Sequence, residues 1–288
     1  MERQYDADTG TTTATQPTPA SPAGHVLLAI VPHPDDEAYT MGGTLALAAQ
    51  QGAAVHVLCA TRGEGGQSAD PSLTTAEQVA GVRAEEMAAS CRVLGAQSPI
   101  FLDYLDGELA NVNMAEAVGE LVRAIRAVRP HVVITLGEDG VYGHPDHIAL
   151  HKLVMPAYRS AGGGSRFPAA EFGPPWAPER LLWTAYPRGL FRPQWEHMLT
   201  SEHAEAMRLI NPDRLGVDPA EFAITVDISG VARTKLEAIR CHRTQLPDGD
   251  PIGLFPAGIV RMLLGVEYFQ FGGGLPPPPG AADPFTGL

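Results

Sequence analysis

The chain has 288 residues, 44% hydrophobic and 18% charged, a globular composition long enough to bury a core without disulfide or metal staples. Its 33 acidic against 20 basic residues give a net charge of −13, which excludes a nucleic-acid groove or an anionic membrane surface as main partner. No apolar run approaches the about 18 residues of a bilayer span, and Cys59, Cys91 and Cys241, set in apolar stretches, read as buried thiols of a reducing, cytoplasmic compartment and not as a disulfide framework.

Residues 1–24 are rich in Thr, Ala, Pro, Gln, Ser and Asp and lack any period, which reads as a disordered tail without a secretory signal. Val26–Val31 is a continuous apolar run closed by Pro32, as in a strand buried on both faces. Met41–Gln51 follows as a helix stopped by Gly52, then Val55–Ala60 as a second strand. Thr75–Leu94 sets Ala80, Ala84, Met87, Cys91 and Leu94 at three- and four-residue spacing and ends at Gly95. Ile100–Tyr104 is a third strand. Asn113, with Glu116 three residues on, opens a helix whose Met114, Val118, Leu121, Ile125 and Val128 share a face; Pro130 stops it, and His131–Leu136 is a fourth strand. Beyond it the pattern weakens. Ser160–Pro178, rich in Gly and Pro, reads as a surface loop near the site or a lid. Strands are expected near Leu181–Tyr186 and Ile224–Ile228, a helix over Val231–Thr244, and an extended or mobile Gly/Pro-rich end from Phe271. Alternating strands and helices predict an α/β fold: a three-layer α/β/α sandwich with a Rossmann-like, mostly parallel sheet. It forms a single domain over 25–270, flanked by tails 1–24 and 271–288.

In open α/β sheets ligands sit beyond the carboxyl ends of the strands. That rule selects Pro32-His33-Pro34-Asp35-Asp36-Glu37, Thr61-Arg62-Gly63-Glu64-Gly65-Gly66, and the stretch from Gly137 to His147. The first offers one imidazole and several carboxylates; the third offers His144, His147 and Asp146. A divalent first-row metal suits this mix, zinc being the default for two imidazoles, one carboxylate and an open position. Each residue alone has an ordinary alternative: His33, Asp35 and Asp36 as helix-start residues, and His144, His147 and His151 as surface histidines. His147 and His151, one helical turn apart, are also spaced to chelate a metal by themselves. The same donors around Fe(II) form the facial triad of oxygenases, which the α/β pattern contradicts. Gly63–Gly66 lacks the phosphate-loop fingerprint and reads as a substrate-lining turn. His242 is either a helix-dipole partner or a site residue. Trp176, Trp183 and Trp195 either stack on a sugar or pack in the core.

Pro-His-Pro-Asp-Asp-Glu at 32–37, together with Gly-His-Pro-Asp-His at 143–147, resembles the LmbE-like (PIG-L) family of zinc-dependent N-deacetylases. Thr61-Arg62-Gly63-Glu64, the helix with Arg83 and Glu86, and His242-Arg243-Thr244-Gln245 fall in that family's order; Val266-Glu267-Tyr268-Phe269 is a looser match. The resemblance implies removal of an acetyl group from an N-acetylglucosamine-containing glycoside, precursors of low-molecular-weight thiols included. It implies His33, Asp36 and His147 as ligands of one Zn2+ per chain, with Fe2+ or another divalent ion as alternative. Asp35 would then be the general base, and His144 the group that stabilises the oxyanion or protonates the leaving amine. Asp146 would orient His144, Tyr142 would reach the substrate carbonyl, and Arg62 would meet substrate hydroxyls. His151 would fall outside the ligand set. The implied partner is a small amino sugar, with neither nucleic acid nor membrane; a homo-oligomer is left open. Two alternatives accompany this expectation: an amidase acting on a related thiol conjugate, and a sugar-binding homologue without catalysis, against which an intact Asp35 speaks. Residues 160–220 match no motif and are expected to set substrate choice.

Overall fold

The computed structural model describes residues 23–199, 208, 211–246, 249, 252–253 and 255–288, so all but the last two residues of the expected N-terminal tail lie outside it. Val26–Val31 (β1), Ala54–Thr61 (β2), Ile100–Tyr104 (β3), Val132–Leu136 (β4) and Arg180–Ala185 (β5) form a parallel sheet in the order β3-β2-β1-β4-β5. Ile224–Asp227 (β6) and Val266–Gly274 (β7) extend it as β5-β7-β6, β7 running antiparallel to both neighbours. The connecting helices are Asp36–Gln50 (α1), Ala76–Leu94 (α2), Met114–Val128 (α3), the single turn Gly140–Gly143 (α4), Pro145–Ala161 (α5), Ala169–Phe172 (α6), Arg192–Met198 (α7), Ala232–Cys241 (α8) and Ala257–Leu263 (α9).

Successive residues of β1 point to opposite faces and feed two cores. Leu27, Ala29 and Val31 pack with Met41 and Leu45 of α1, Met87 and Cys91 of α2 and Ile239 of α8. Leu28 and Ile30 pack with Val118, Leu121 and Ile125 of α3 and Leu150, Leu153 and Val154 of α5. These are the three layers expected from the strand–helix alternation. The start signals also act as read: Thr75 and Gln78 cap α2 reciprocally, and the Asn113 side chain accepts from Ala115 and Glu116 at the head of α3. Helix α1 starts at Asp36, ahead of the expected Met41, because its first turn carries acidic residues in place of the apolar period.

Two stretches differ from expectation. Val132 pairs with Arg180, so the chain between Ala161 and Arg180 lies at the amino ends of the strands, opposite the loops chosen for chemistry. It is no lid. Buried Arg126 of α3 donates to the carbonyls of Ala161, Gly163, Phe167 and Gly173, and Trp176 donates to Pro130 O at 2.7 Å while stacking under Arg129. Trp176 is thus structural, and so is Trp183, a β5 residue edge-on to His151. The C-terminal residues, expected to be extended or mobile from 271, finish β7 and then fold back. Phe285 is fully buried next to His25, and fully buried Arg180 donates to the carbonyls of Leu275, Pro284 and Thr286. Carbonyls belong to every residue type, so a segment of Gly and Pro anchors as well as any other once a buried guanidinium faces it. Phe285→Ala should lower stability by about 3–5 kcal/mol, a Tm loss of roughly 10 °C. Turnover at 25 °C should stay intact; an unchanged melting curve would show that this end does not hold the body together.

Cys59 and Cys91 are buried free thiols as expected, whereas Cys241, the last residue of α8, is a free thiol only half-buried. Among the described residues no helix is long and apolar enough to cross a membrane.

Candidate active site

The carboxyl ends of β1 and β4 bring the two histidine-bearing loops together. Pro32 O takes both the N–H and the hydroxyl of Thr61, which pins the start of the first loop to β2. Asp36 leads α1 and His147 lies in the first turn of α5. The Oδ2 of Asp36 accepts the His33 N–H at 3.1 Å and lies 3.4 Å from both His33 Nδ1 and His147 Nε2. Donor atoms around a tetrahedral zinc, about 2.0–2.2 Å from the metal, stand at about this separation. His147 is buried, and neither of its ring nitrogens has a hydrogen-bond partner among the described residues. Buried polar atoms are ordinarily paired. An orphaned imidazole beside a carboxylate and a second imidazole therefore fits a divalent cation. His144 joins His33 and His147 in one grouping close enough to share an ion; His33, Asp106 and Asp146 form another.

His33 presents different partners on its two edges. Its Nε2 faces Asp106 at 2.9 Å and Asp146 at 3.2 Å. With a metal bound, a proton kept on Nε2 and shared with these carboxylates would leave the Nδ1 lone pair, on the Asp36 side, for the ion, the arrangement by which metal-binding imidazoles are usually oriented. Burial pulls the His33 pKa down, but the hydrogen bonds to Asp106, Asp146 and Asp36 outweigh it and hold it well above the ordinary value. The Asp146 carboxylate is itself fixed by the N–H groups of Gly107 at 2.7 Å and Leu109 at 3.1 Å. It therefore orients His33, whereas the sequence suggested His144. Its tie to His144 is through the backbone, the Asp146 N–H donating to His144 Nδ1 at 3.2 Å. The reason is local: His144 caps α5, so its ring folds over the Asp146 N–H while the Asp146 side chain projects away to His33. Asp106 was missed from sequence, although it sits in the turn after β3 where the strand-end rule applies equally.

Asp35 stands beside this cluster with φ +114°, a conformation rare for a residue with a side chain. Arg83 of α2, almost fully buried, donates to Gly63 O at 2.7 Å, Pro34 O at 2.6 Å and Asp35 Oδ2 at 3.3 Å. One guanidinium thus fixes both the Asp35 turn and the glycine turn after β2. Gly63, at φ +69°, and Gly66 have no room for a Cβ against it. Burial pushes the Asp35 carboxyl up to about 6 against the pull of Arg83, with the Asp36 charge adding to the rise. Asp36 moves the other way, to about 2, because the imidazoles of His147 and His33 outweigh its burial. Burial lowers His144 below its ordinary value and takes His147 down to about 4. His144 accepts on Nδ1, so its proton resides on Nε2. The Tyr142 ring lies 5.1 Å from that of His147 and 5.8 Å from that of His144. Val141 before it has φ +68°, and Asp139 steadies this turn by accepting the Val141 and Gly216 N–H groups. Arg62 directs Nε and Nη2 to Asp103 Oδ1, both at 2.7 Å, and stacks over Phe101. His151 gives Nδ1 to Leu136 O at 3.0 Å and belongs to neither metal-capable grouping. Buried His242, left open by the sequence, meets Glu37 at 2.8 Å.

Residues 28–158 match the sequence model of the family described as PIG-L, GlcNAc-PI de-N-acetylase. The chain is 36% identical to the 1D-myo-inositol 2-acetamido-2-deoxy-alpha-D-glucopyranoside deacetylase of Rhodococcus erythropolis, over 91% of this chain and 97% of that protein. The chain belongs to the PIG-L family. A deacetylase of the same description from Thermobispora bispora is 34% identical over 88% of this chain and 89% of its own. A conserved protein of Thermus thermophilus shares the fold, with a TM-score of 0.59 and 28% identity over 87% of this chain and 94% of that one. As a PIG-L protein the chain is a deacetylase, a hydrolase of an amide C–N bond.

Proposed function

We propose that the chain removes the acetyl group of an N-acetylglucosamine glycoside of the 1D-myo-inositol 2-acetamido-2-deoxy-α-D-glucopyranoside kind, using one zinc ion held by His33, Asp36 and His147. The observation that carries the chemistry is the orphaned His147, 3.4 Å from an Asp36 oxygen that His33 also faces, with Asp35 adjacent in the chain. The relatives' near-complete coverage carries the substrate class.

A zinc ion in this site would polarise the acetyl carbonyl and make bound water a nucleophile near neutral pH. Asp35 takes the proton of the attacking water as its oxygen bonds to the acyl carbon. Neutral His144, donating from Nε2, stabilises the negative charge that develops on the carbonyl oxygen. Its Nδ1 already accepts the Asp146 N–H, so a second ring proton would face that N–H; the geometry favours a hydrogen-bond donor over an acid. The proton on Asp35 therefore returns to the amine nitrogen as the C–N bond breaks, leaving acetate and the free amino sugar. Tyr142 lines the carbonyl side, and Arg62 keeps Nη1 for a sugar hydroxyl.

A panel of N-acetylglucosaminyl glycosides, assayed for acetate and free amine, tests the reading. The inositol glycoside should be hydrolysed with the highest kcat/KM. Preference for the amide of a thiol conjugate would reassign the chain as an amidase, and hydrolysis of N-acetyl peptides alone would remove the sugar. The pH dependence gives a second check. Asp35 must be ionised to act, so kcat/KM should fall by about tenfold per pH unit below its pKa, with a midpoint at or under about 6. Activity undiminished at pH 4 would exclude a carboxylate base of this kind.

A further inference from the structure

Glu37 directly follows the proposed ligand Asp36, yet its side chain turns inward and is fully buried. Its Oε1 accepts from Ser90 Oγ of α2 at 2.6 Å and meets His242 Nε2 at 2.8 Å. His242, at the end of α8, is also fully buried, and its Nδ1 has no partner among the described residues. The other carboxylate oxygen, Oε2, accepts the backbone N–H of Asp35 at 3.0 Å. That hydrogen bond leads from the trio of Glu37, Ser90 and His242 towards the reacting groups. Ion pairs this deep add little net stability, because desolvation offsets the attraction; an apolar pair would hold α1, α2 and α8 together as well. Meanwhile the Asp35 peptide adopts φ +114°, a strained conformation that persists only where its surroundings over-determine it. Arg83 grips the Asp35 side chain from one direction, and Glu37 grips its N–H from another.

We infer that the buried Glu37–His242 pair is a positioning device for the catalytic base: Glu37 holds the Asp35 N–H, and His242 with Ser90 holds Glu37. The inference rests on Asp35 acting as the base and extends it to two residues that touch neither metal nor substrate. It also gives a place to the His-Arg-Thr-Gln element at 242–245. There Thr244 clamps Glu86 through its N–H and hydroxyl while its carbonyl receives the Ala69 N–H, so the element braces the base turn and the glycine loop together.

The test is a cycle in the metal-loaded enzyme with Glu37→Gln, Asp35→Asn and the double variant. Glu37→Gln keeps the shape but has one acceptor oxygen in place of two, so it cannot accept from Ser90 and His242 and from the Asp35 N–H at the same time. Its kcat should fall by roughly 10–100-fold, the range typical of groups that orient a functional residue, while KM and metal content stay within about twofold. In the Asp35→Asn background the same change should cost less than about threefold, since there is no base left to aim. Equal losses in both backgrounds would overturn the inference, as would loss of metal, which would assign Glu37 to Asp36. Should Glu37→Gln fold poorly, His242→Ala against His242→Gln decides: glutamine can still donate to Glu37 and should recover kcat, and a pair of equally slow variants would overturn the inference. Failure of the base reading is separate, because Asp35→Asn alone would then retain near-normal turnover.

Discussion

Asp35→Asn should reduce turnover by roughly 10²–10⁴-fold, the usual range for a positioned acid–base group, with metal content unchanged. The argument is geometric. Asp35 and Asp36 are adjacent, yet φ +114° at Asp35 sends their carboxylates apart: Asp36 to the two imidazoles, Asp35 to Arg83. Asparagine keeps the shape and the contact with Arg83 and loses only basicity, so KM should change little. Loss of metal would show that the two aspartates have exchanged roles. Retention of both metal and near-normal turnover would remove the carboxylate from the proton transfer. Stability supplies an independent sign. Burial raises the Asp35 carboxyl in the native state to about 6, above its unfolded value of about 3.9. The native state therefore favours the protonated form, and that contribution is fully present below about pH 4 and lost as pH rises through about 6. At pH 8 the metal-free protein carries the full penalty, at most about 3 kcal/mol for a shift of this size. Metal-free Asp35→Asn should accordingly melt higher than metal-free wild type at pH 8 and equally at pH 4. A base that destabilises its own fold is the expected signature of a functional group.

The sequence made the three layers and the proposed ligands legible because their signals are local. An apolar run closed by Pro32, followed at once by His33, Asp35 and Asp36, places those side chains at a strand end. His144 and His147 follow β4 in the same way. What stayed hidden joins positions far apart in the chain. Asp146 meets His33 across 113 residues and Glu37 meets His242 across 205, and no periodicity encodes such pairings. Spacing makes His144 the nearest imidazole to Asp146, but the carboxylate meets His33. The C-terminal strand and its fold-back were obscured by composition: Gly272–Gly274 and the proline run suggest mobility, while Arg180 and Phe285 supply the anchoring from a distance. Sequence marked what the loops carry; packing decided which side chains face one another.

His147→Ala should abolish metal binding and, with it, detectable deacetylation. His33 and Asp36 come from one turn, and two donors from a single turn leave a divalent ion weakly held. His147 is the proposed donor from the second loop, carried by α5 on the far side of the site. Wild-type protein should contain about one zinc per chain by elemental analysis, and the variant should contain almost none even after incubation with zinc. Thermal melting separates ligand loss from unfolding. In metal-free protein the His147 ring nitrogens are buried without partners, a condition that costs free energy. Alanine relieves that cost while opening a small cavity, two effects of opposite sign, so the metal-free Tm should move little. Wild type should instead gain stability from zinc, by about 2.7 kcal/mol at a hundredfold excess over Kd, and the variant should show no such gain. Free imidazole can occupy the space vacated by the ring and should restore part of both zinc binding and turnover. Full zinc occupancy in His147→Ala would move the ion to His33, Asp106 and Asp146, the other grouping within reach. His33→Ala would then still lose the metal, but Asp36→Ala would keep it, because Asp36 is a donor of the proposed site and not of that grouping.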